Sequence, residues 1–269
     1  MIMSNFLKNR KSIREFKKKE VDIETLDNIR SRLMEISKEK ENIKFKLYEK
    51  GELIHSNLQG KAGYAGVMID APHYIALEWE RDDEKSIIYG SYYMEELITE
   101  LNNMELDTCW VSIPDVDREL KEKVLGESVD KIDYLLAFGY EKSGNPFNPE
   151  STSERSSVAD IVFDGQIERA IEMEDLRSKG LLDIFYYIRY APSTKNLQPW
   201  RFLLKDDRVQ LLLAYEEWEE HFLIDAGIIM YYFEKMAEYQ GMKNSWELIH
   251  EGNYEGEYYN YRLIGEYRL

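Results

Sequence analysis

The chain has a single cysteine, Cys109, among its 269 residues. One thiol closes no internal disulfide and builds no cysteine-based zinc site, so Cys109 reads as a small buried hydrophobe. The four histidines are scattered without metal-ligand spacing. Basic residues are in the minority: 35 Lys and Arg stand against 52 Asp and Glu, a formal net charge of -17. A chain this acidic is a poor general binder of nucleic acid or of an anionic membrane. No G-x-G-x-x-G occurs, so no dinucleotide-binding turn is expected. No secretory leader stands at the start and no apolar run comes near about 18 residues, which points to a soluble, cytoplasmic protein. What the sequence does have is core material. It is 43% hydrophobic, with 20 tyrosines and 5 tryptophans, which excludes a disordered chain and suffices for one large domain or two small ones.

Two polar stretches run against this background. The first lies in a basic cluster near the start, Lys8 to Lys19, and reads Arg10-Lys11-Ser12-Ile13-Arg14. In an extended segment Arg10, Ser12 and Arg14 share one side, and two guanidiniums with a hydroxyl suit a phosphate through charge-assisted hydrogen bonds. The competing reading is an ordinary solvated basic segment. The second stretch is Ala191-Pro192-Ser193-Thr194-Lys195-Asn196-Leu197-Gln198-Pro199-Trp200. Pro192 is expected to end the helix before it, and Pro199 to delay the strand after it. Ser193, Thr194, Asn196 and Gln198 offer hydroxyls and amides but no titrating group, an inventory for the edge of a flat heterocycle. The competing reading is a helix-to-strand connector whose side chains cap local backbone.

The periodicities order the rest. Asp22 reads as an N-cap before a helix with Leu26, Ile29, Leu33 and Ile36 on its buried face. Strands are expected at Ile43–Tyr48, Tyr74–Leu77 and Tyr134–Tyr140, with an irregular excursion from Gly51 to Gly66. His73 reads as a strand-edge histidine. A long helix is expected to open at Gly90 and to bury Met94, Leu97, Ile98 and Leu101; a second starts at Asp115 or Asp117. Glu141 to Ser157 reads as a linker. A helix over Leu181 to Tyr190 follows, then strands at Arg201–Leu204 and Val209–Ala214. Asp225 opens a helix to about Gln240, and Tyr259–Tyr267 closes the chain as a strand.

Together, R-x-S-x-R near the start and A-P-S-x-x-N-x-Q-P-W later resemble the nitroreductase-like family of FMN-dependent oxidoreductases. Leu106-Asp107-Thr108-Cys109-Trp110-Val111-Ser112 resembles that family's G-L-G-T-x-W-x-G turn, with Glu105, Asp107 and Ile113 in place of glycines. Arg155-Ser156-Ser157-Val158-Ala159-Asp160-Ile161-Val162 resembles the family's closing R-x-P-L-x-E-I-V. Laying Trp246 on Trp110 also aligns the long helices, Met94 on Met230 and Leu97 on Phe233, as an internal repeat. The chain thus resembles the fused branch known as the "TM nitroreductase" group. The expected fold is α+β: two related halves, 1–150 and 151–269, each a mostly antiparallel sheet flanked by helices. The expected organisation is an internal pseudo-dimer, which would need no second copy. Where the first half would carry the Pro-Ser-Asn-Gln loop it has Glu35 to Asn42, and where the second would carry the basic segment it has Arg169 to Met173.

The resemblance implies one FMN per chain. Arg10, Ser12, Arg14 and Arg155 would hold its phosphate, with Lys11 near the phosphate or ribityl chain. Pro192, Ser193, Thr194, Asn196 and Gln198 would line the isoalloxazine, and Trp110, Val111 and Ser112 would flank it through backbone groups. No catalytic side chain is expected, because the chemistry would be the cofactor's: NADH or NADPH as transient donor, then a small nitroaromatic- or quinone-like acceptor. The alternatives are a flavin-binding carrier or sensor without turnover, a flavin-cleaving or dehalogenating relative, and a chain that binds no flavin.

Overall fold

The computed structural model describes residues 10–40, 42–63, 66–79, 83–126, 132–142, 153–249 and 252–269. The chain divides into two compact units, Lys11–Glu150 and Ser151–Leu269 with Met1–Arg10.

In the Lys11–Glu150 unit, helix α1 (Ile23–Glu39) starts where Asp22 accepts from the Thr25 backbone N–H at 2.9 Å, and it buries Leu26, Ile29, Leu33 and Ile36 as the spacing predicts. Strand β1 (Ile43–Tyr48) follows, then α2 (Gly51–Leu58), β2 (His73–Trp79), α3 (Glu84–Asn103), β3 (Asp107–Ser112), α4 (Arg118–Leu125) and β4 (Ile132–Gly139). The four strands form an antiparallel sheet in the order β1-β2-β4-β3. Cys109 and Val111 from β3 pack with Leu135 and Ala137 from β4 and with Ile13 and Phe16 in one core.

Two sequence expectations change here. The excursion from Gly51 is not wholly irregular, because its first half is helix α2. Gly51 is required there by close approach: its N–H donates to the Pro72 carbonyl at 2.8 Å, and a Cβ would sit 2.1 Å from the Ala71 carbonyl oxygen. Gly51→Ala is therefore expected to cost about 1–3 kcal/mol, the scale of overpacking, and a urea denaturation midpoint reads it. The long helix α3 begins at Glu84, ahead of Gly90, because Asp83 caps it by accepting from the Lys85 N–H at 3.1 Å. His73 is buried in β2. Its Nε2 accepts from the Val21 N–H at 3.0 Å and its Nδ1 donates to the Glu49 carbonyl at 2.8 Å, so it ties three segments together as a neutral ring.

In the other unit come α5 (Val158–Ile161), β5 (Val162–Asp164), α6 (Met173–Ser178), α7 (Leu182–Ile188), β6 (Trp200–Leu204), β7 (Arg208–Tyr215), α8 (Phe222–Tyr239), β8 (Glu247–Leu248), β9 (Asn253–Glu255) and β10 (Asn260–Arg268). The main sheet runs β5-β6-β7-β10-β8, antiparallel except for the parallel pair β5–β6. Helix α8 is apolar nearly all round, as a helix covered on most sides must be. Phe233 on it meets Phe185, Phe202, Trp246 and Tyr267, with ring centroids 5.0–5.8 Å apart. The expected linker from Glu141 to Ser157 lies in part outside the described residues, at 143–152.

The two sheets follow one plan. In each, a helix leads into two antiparallel strands, a long helix and an edge strand, and the last strand then pairs between the second and the edge strand: β1-β2-β4-β3 in one, β6-β7-β10-β8 in the other. One residue offset carries His73 in β2 to Val209 in β7, Met94 to Met230, and Trp110 to Trp246. Both tryptophans hang from their long helix at matching places. Trp110 Nε1 donates to Glu95 Oε1 at 2.8 Å and Trp246 Nε1 to the Met230 carbonyl at 3.2 Å.

Candidate functional site

The loop between α7 and β6 sits where the sequence places it. The Ala191 N–H closes the helix on the Ile188 carbonyl, and β6 begins directly after Pro199. Lys195, Asn196 and Gln198 all have positive φ, at 51°, 59° and 49°. Three non-glycine residues in the left-handed region within one short loop are strained backbone that the surroundings must hold in place.

The holding contacts are specific. Ser193 Oγ accepts from the Gln198 N–H at 3.0 Å. Gln198 Oε1 accepts from the Ser156 N–H at 3.0 Å, and Gln198 Nε2 donates to the Glu154 carbonyl at 3.3 Å. Asn196 Nδ2 donates to the same carbonyl at 3.0 Å, while Asn196 Oδ1 accepts from Arg155 Nη1. So the amides of Asn196 and Gln198 clamp the 154–156 segment, and Arg155 is set by the loop. From below, Asp225 Oδ1 accepts from the Thr194 N–H at 2.8 Å and from Thr194 Oγ1 at 3.2 Å.

Arg155 is half-buried. Its protein partners are Asn196 Oδ1 and the Tyr190 carbonyl at 3.4 Å, with no carboxylate among the described residues. Burial, and then the like charge of Arg10, lower its pKa from the ordinary guanidinium value. The unit containing Ser151–Leu269 thus brings Arg10 to Arg155. A guanidinium kept partly dry, beside a second one, is an environment that an anion stabilises. Among the buried polar atoms without a hydrogen-bond partner in the described residues are Trp200 Nε1 at the far end of the loop and Asp225 Oδ2 beneath Thr194.

The remaining candidates belong to the Lys11–Glu150 unit. Lys11, Ser12 and Arg14 are exposed while Ile13 and Phe16 are buried. Ser12 bridges Thr108 in parallel along the outer edge of β3, and the Ile13 N–H donates to the Thr108 carbonyl at 2.9 Å. Trp110 is half-buried on Glu95, Val111 is in the core, and Ser112 is exposed with its carbonyl accepting from the Gly63 N–H at 2.9 Å. Glu105, which stands where the resembling turn has glycine, has a φ of 61°, so the backbone keeps the glycine-like bend without glycine. Cys109 is buried. Among the described residues no group of acidic, histidine or cysteine side chains could hold a metal, and no helix is long and apolar enough to cross a membrane.

Asp225 is the residue that sequence reasoning placed but did not assign. It reads as a helix opener, whereas in the fold it lies inside the first turn of α8 and reaches back to Thr194. The Ser157 capping box, closed by Asp160 Oδ2 on the Ser157 N–H at 2.9 Å, also went unread, although S-x-x-D was visible.

A comparison with curated proteins found no match. Among solved structures, that of "a putative nitroreductase" from Thermotoga maritima is 16% identical, with a TM-score of 0.60, over 98% of this chain and 94% of its own. At that identity the likeness shows the fold. An FMN-dependent nitroreductase from Clostridium difficile is 22% identical with a TM-score of 0.43, over 54% of this chain and 91% of its own. A nitroreductase with bound FMN from Bacteroides fragilis is 15% identical with a TM-score of 0.45, over 57% and 95%. The family model described as "Putative TM nitroreductase" matches residues 3–237. That match spans most of the sequence, and the chain belongs to this nitroreductase family.

Proposed function

We propose that the protein is an FMN-dependent oxidoreductase that takes electrons from NADH or NADPH and delivers them to a small nitroaromatic- or quinone-like acceptor. The observation that carries this reading is the Arg10–Arg155 pair: two like charges drawn together, one of them partly dry and without a carboxylate among the described residues. An FMN phosphate would give the Arg155 guanidinium an anionic partner. Arg155 is aimed by Asn196 and the Tyr190 carbonyl, so its fork is preorganised for oxygen ligands. The strained loop from Ser193 to Gln198 offers backbone and hydroxyl groups to the edge of a flavin ring.

When bound, FMN would supply the hydride-accepting chemistry, and the chain's own part is to hold, orient and shield it. No residue here is assigned as a general acid or base. The matching plans of the two sheets support a fused, repeated architecture as the origin of the fold.

The test is a visible absorption spectrum of the purified protein with FMN added, then with anaerobic NADH or NADPH. One flavin per chain that bleaches with either nicotinamide is the expected result. Stoichiometric flavin that does not bleach would favour a carrier or sensor. Failure to take up FMN would overturn the reading.

A further inference from the structure

Asp225 is fully buried, in the first turn of α8. One carboxyl oxygen takes both donors of Thr194, and the other has no hydrogen-bond partner among the described residues. Thr194 is the first residue of the tight turn that carries the positive-φ residues Lys195, Asn196 and Gln198. Asn196 and Gln198 in turn hold the 154–156 segment and aim Arg155. A single buried carboxyl therefore stands beneath the whole clamp.

We propose that Asp225 is a positioning residue whose proton keeps the Ser193–Gln198 loop closed on Arg155, so that its ionisation loosens the loop and with it the grip on the cofactor phosphate. The cofactor half of this statement rests on the FMN reading above; the loop half does not.

The physical cause is desolvation. A carboxylate cannot stay dry with one oxygen unpaired, and it gains water only if the loop over it opens. Burial pushes the Asp225 carboxyl up to about 7, against the smaller pull of the two Thr194 bonds. Helix α8 packs on α7, β6 and β7, and among the described residues the groups that act on the Asp225 carboxyl are the two Thr194 donors. The neighbouring titratable group is His221, one turn earlier, which answers to Glu219 and Lys195. Burial lowers the His221 pKa from its ordinary value, against the opposing pull of Glu219.

The test is backbone amide exchange at residues 193–198 in the flavin-free protein, corrected for the intrinsic pH dependence, at pH 6 and pH 8, in wild type and in Asp225→Asn. The variant keeps the acceptor oxygen for Thr194 and cannot ionise. Exchange in wild type is expected to rise about tenfold across this range, one pH unit past the midpoint, and to stay flat in Asp225→Asn. FMN titrations over the same range should weaken in wild type alone. Flat exchange in wild type overturns the proposal without need of any variant. So does an equal rise in both proteins. A wild-type-only rise in loop exchange, in a protein that takes up no FMN, would leave the Asp225 role standing and overturn the functional reading instead.

Discussion

Lys121→Met is expected to lower the stability of the Lys11–Glu150 unit by about 3–5 kcal/mol, the cost of stripping one partner from a buried ion pair. Lys121 projects from α4 with only 5% of its side chain exposed, and its Nζ donates to Asp133 Oδ1 at 3.0 Å and to the Ile132 carbonyl at 2.9 Å. Those acceptors open β4, the strand that pairs with both β2 and β3. The ammonium therefore fastens a helix to a central strand of the sheet. Its removal leaves the Asp133 carboxylate, itself only 11% exposed, without that cation. A denaturant midpoint on the variant reads the loss. The double replacement Lys121→Met with Asp133→Asn should recover much of it, since removing both charges also removes the cost of desolvating them. A loss under about 1 kcal/mol would instead mark the pair as a solvated one.

Where the sequence was readable, one physical signal dominated locally. Helix α1 has a capping aspartate and an unbroken apolar stripe, and both are seen. The six strands that were expected, β1, β2, β4, β6, β7 and β10, lie within two residues of their expected places, whereas β3 was read as a turn and the short β5, β8 and β9 were not expected. The loop after α7 was delimited by its two prolines. The equal spacing of Trp110 and Trp246 behind the two long helices was also visible in the sequence.

What escaped was set by contacts distant in sequence. Helix α2 hides because its first residue is a glycine, chosen for close approach to Ala71 and Pro72 and not for helix propensity. The long helix α3 starts early because Asp83 outranks the Gly90-Ser91 pair as a start signal. In the candidate site, the residue types of the loop were legible but their partners were not. Nothing local shows that the amides of Asn196 and Gln198 reach the 154–156 segment, or that Thr194 rests on a carboxyl 31 residues away. Nor could the sequence show that Arg10 is grouped with the later unit while Lys11, Ser12 and Arg14 are grouped with the earlier one.

The second large effect separates cofactor binding from folding. Arg155→Met is expected to weaken FMN binding by roughly ten- to hundredfold, the scale of losing charge-assisted hydrogen bonds worth about 1.5–3 kcal/mol. The same change should leave the flavin-free protein as stable as before, or more so. Arg155 is half-buried beside the like charge of Arg10, and both effects disfavour its cation in the folded chain. Methionine keeps an unbranched stem like that of arginine and drops the guanidinium and its charge. What is lost in return is the donor to Asn196 Oδ1, so part of the relief is offset. Paired titrations with FMN and with riboflavin, which lacks the phosphate, make the assignment specific. Wild type should prefer FMN, and Arg155→Met should bind the two alike, with riboflavin affinity little changed. Equal losses for both ligands would place Arg155 at the ring or in the support of the loop, away from the phosphate. A large drop in the melting temperature of the flavin-free variant would mean that the guanidinium is needed by the fold, and that the repulsion from Arg10 is already balanced inside the chain.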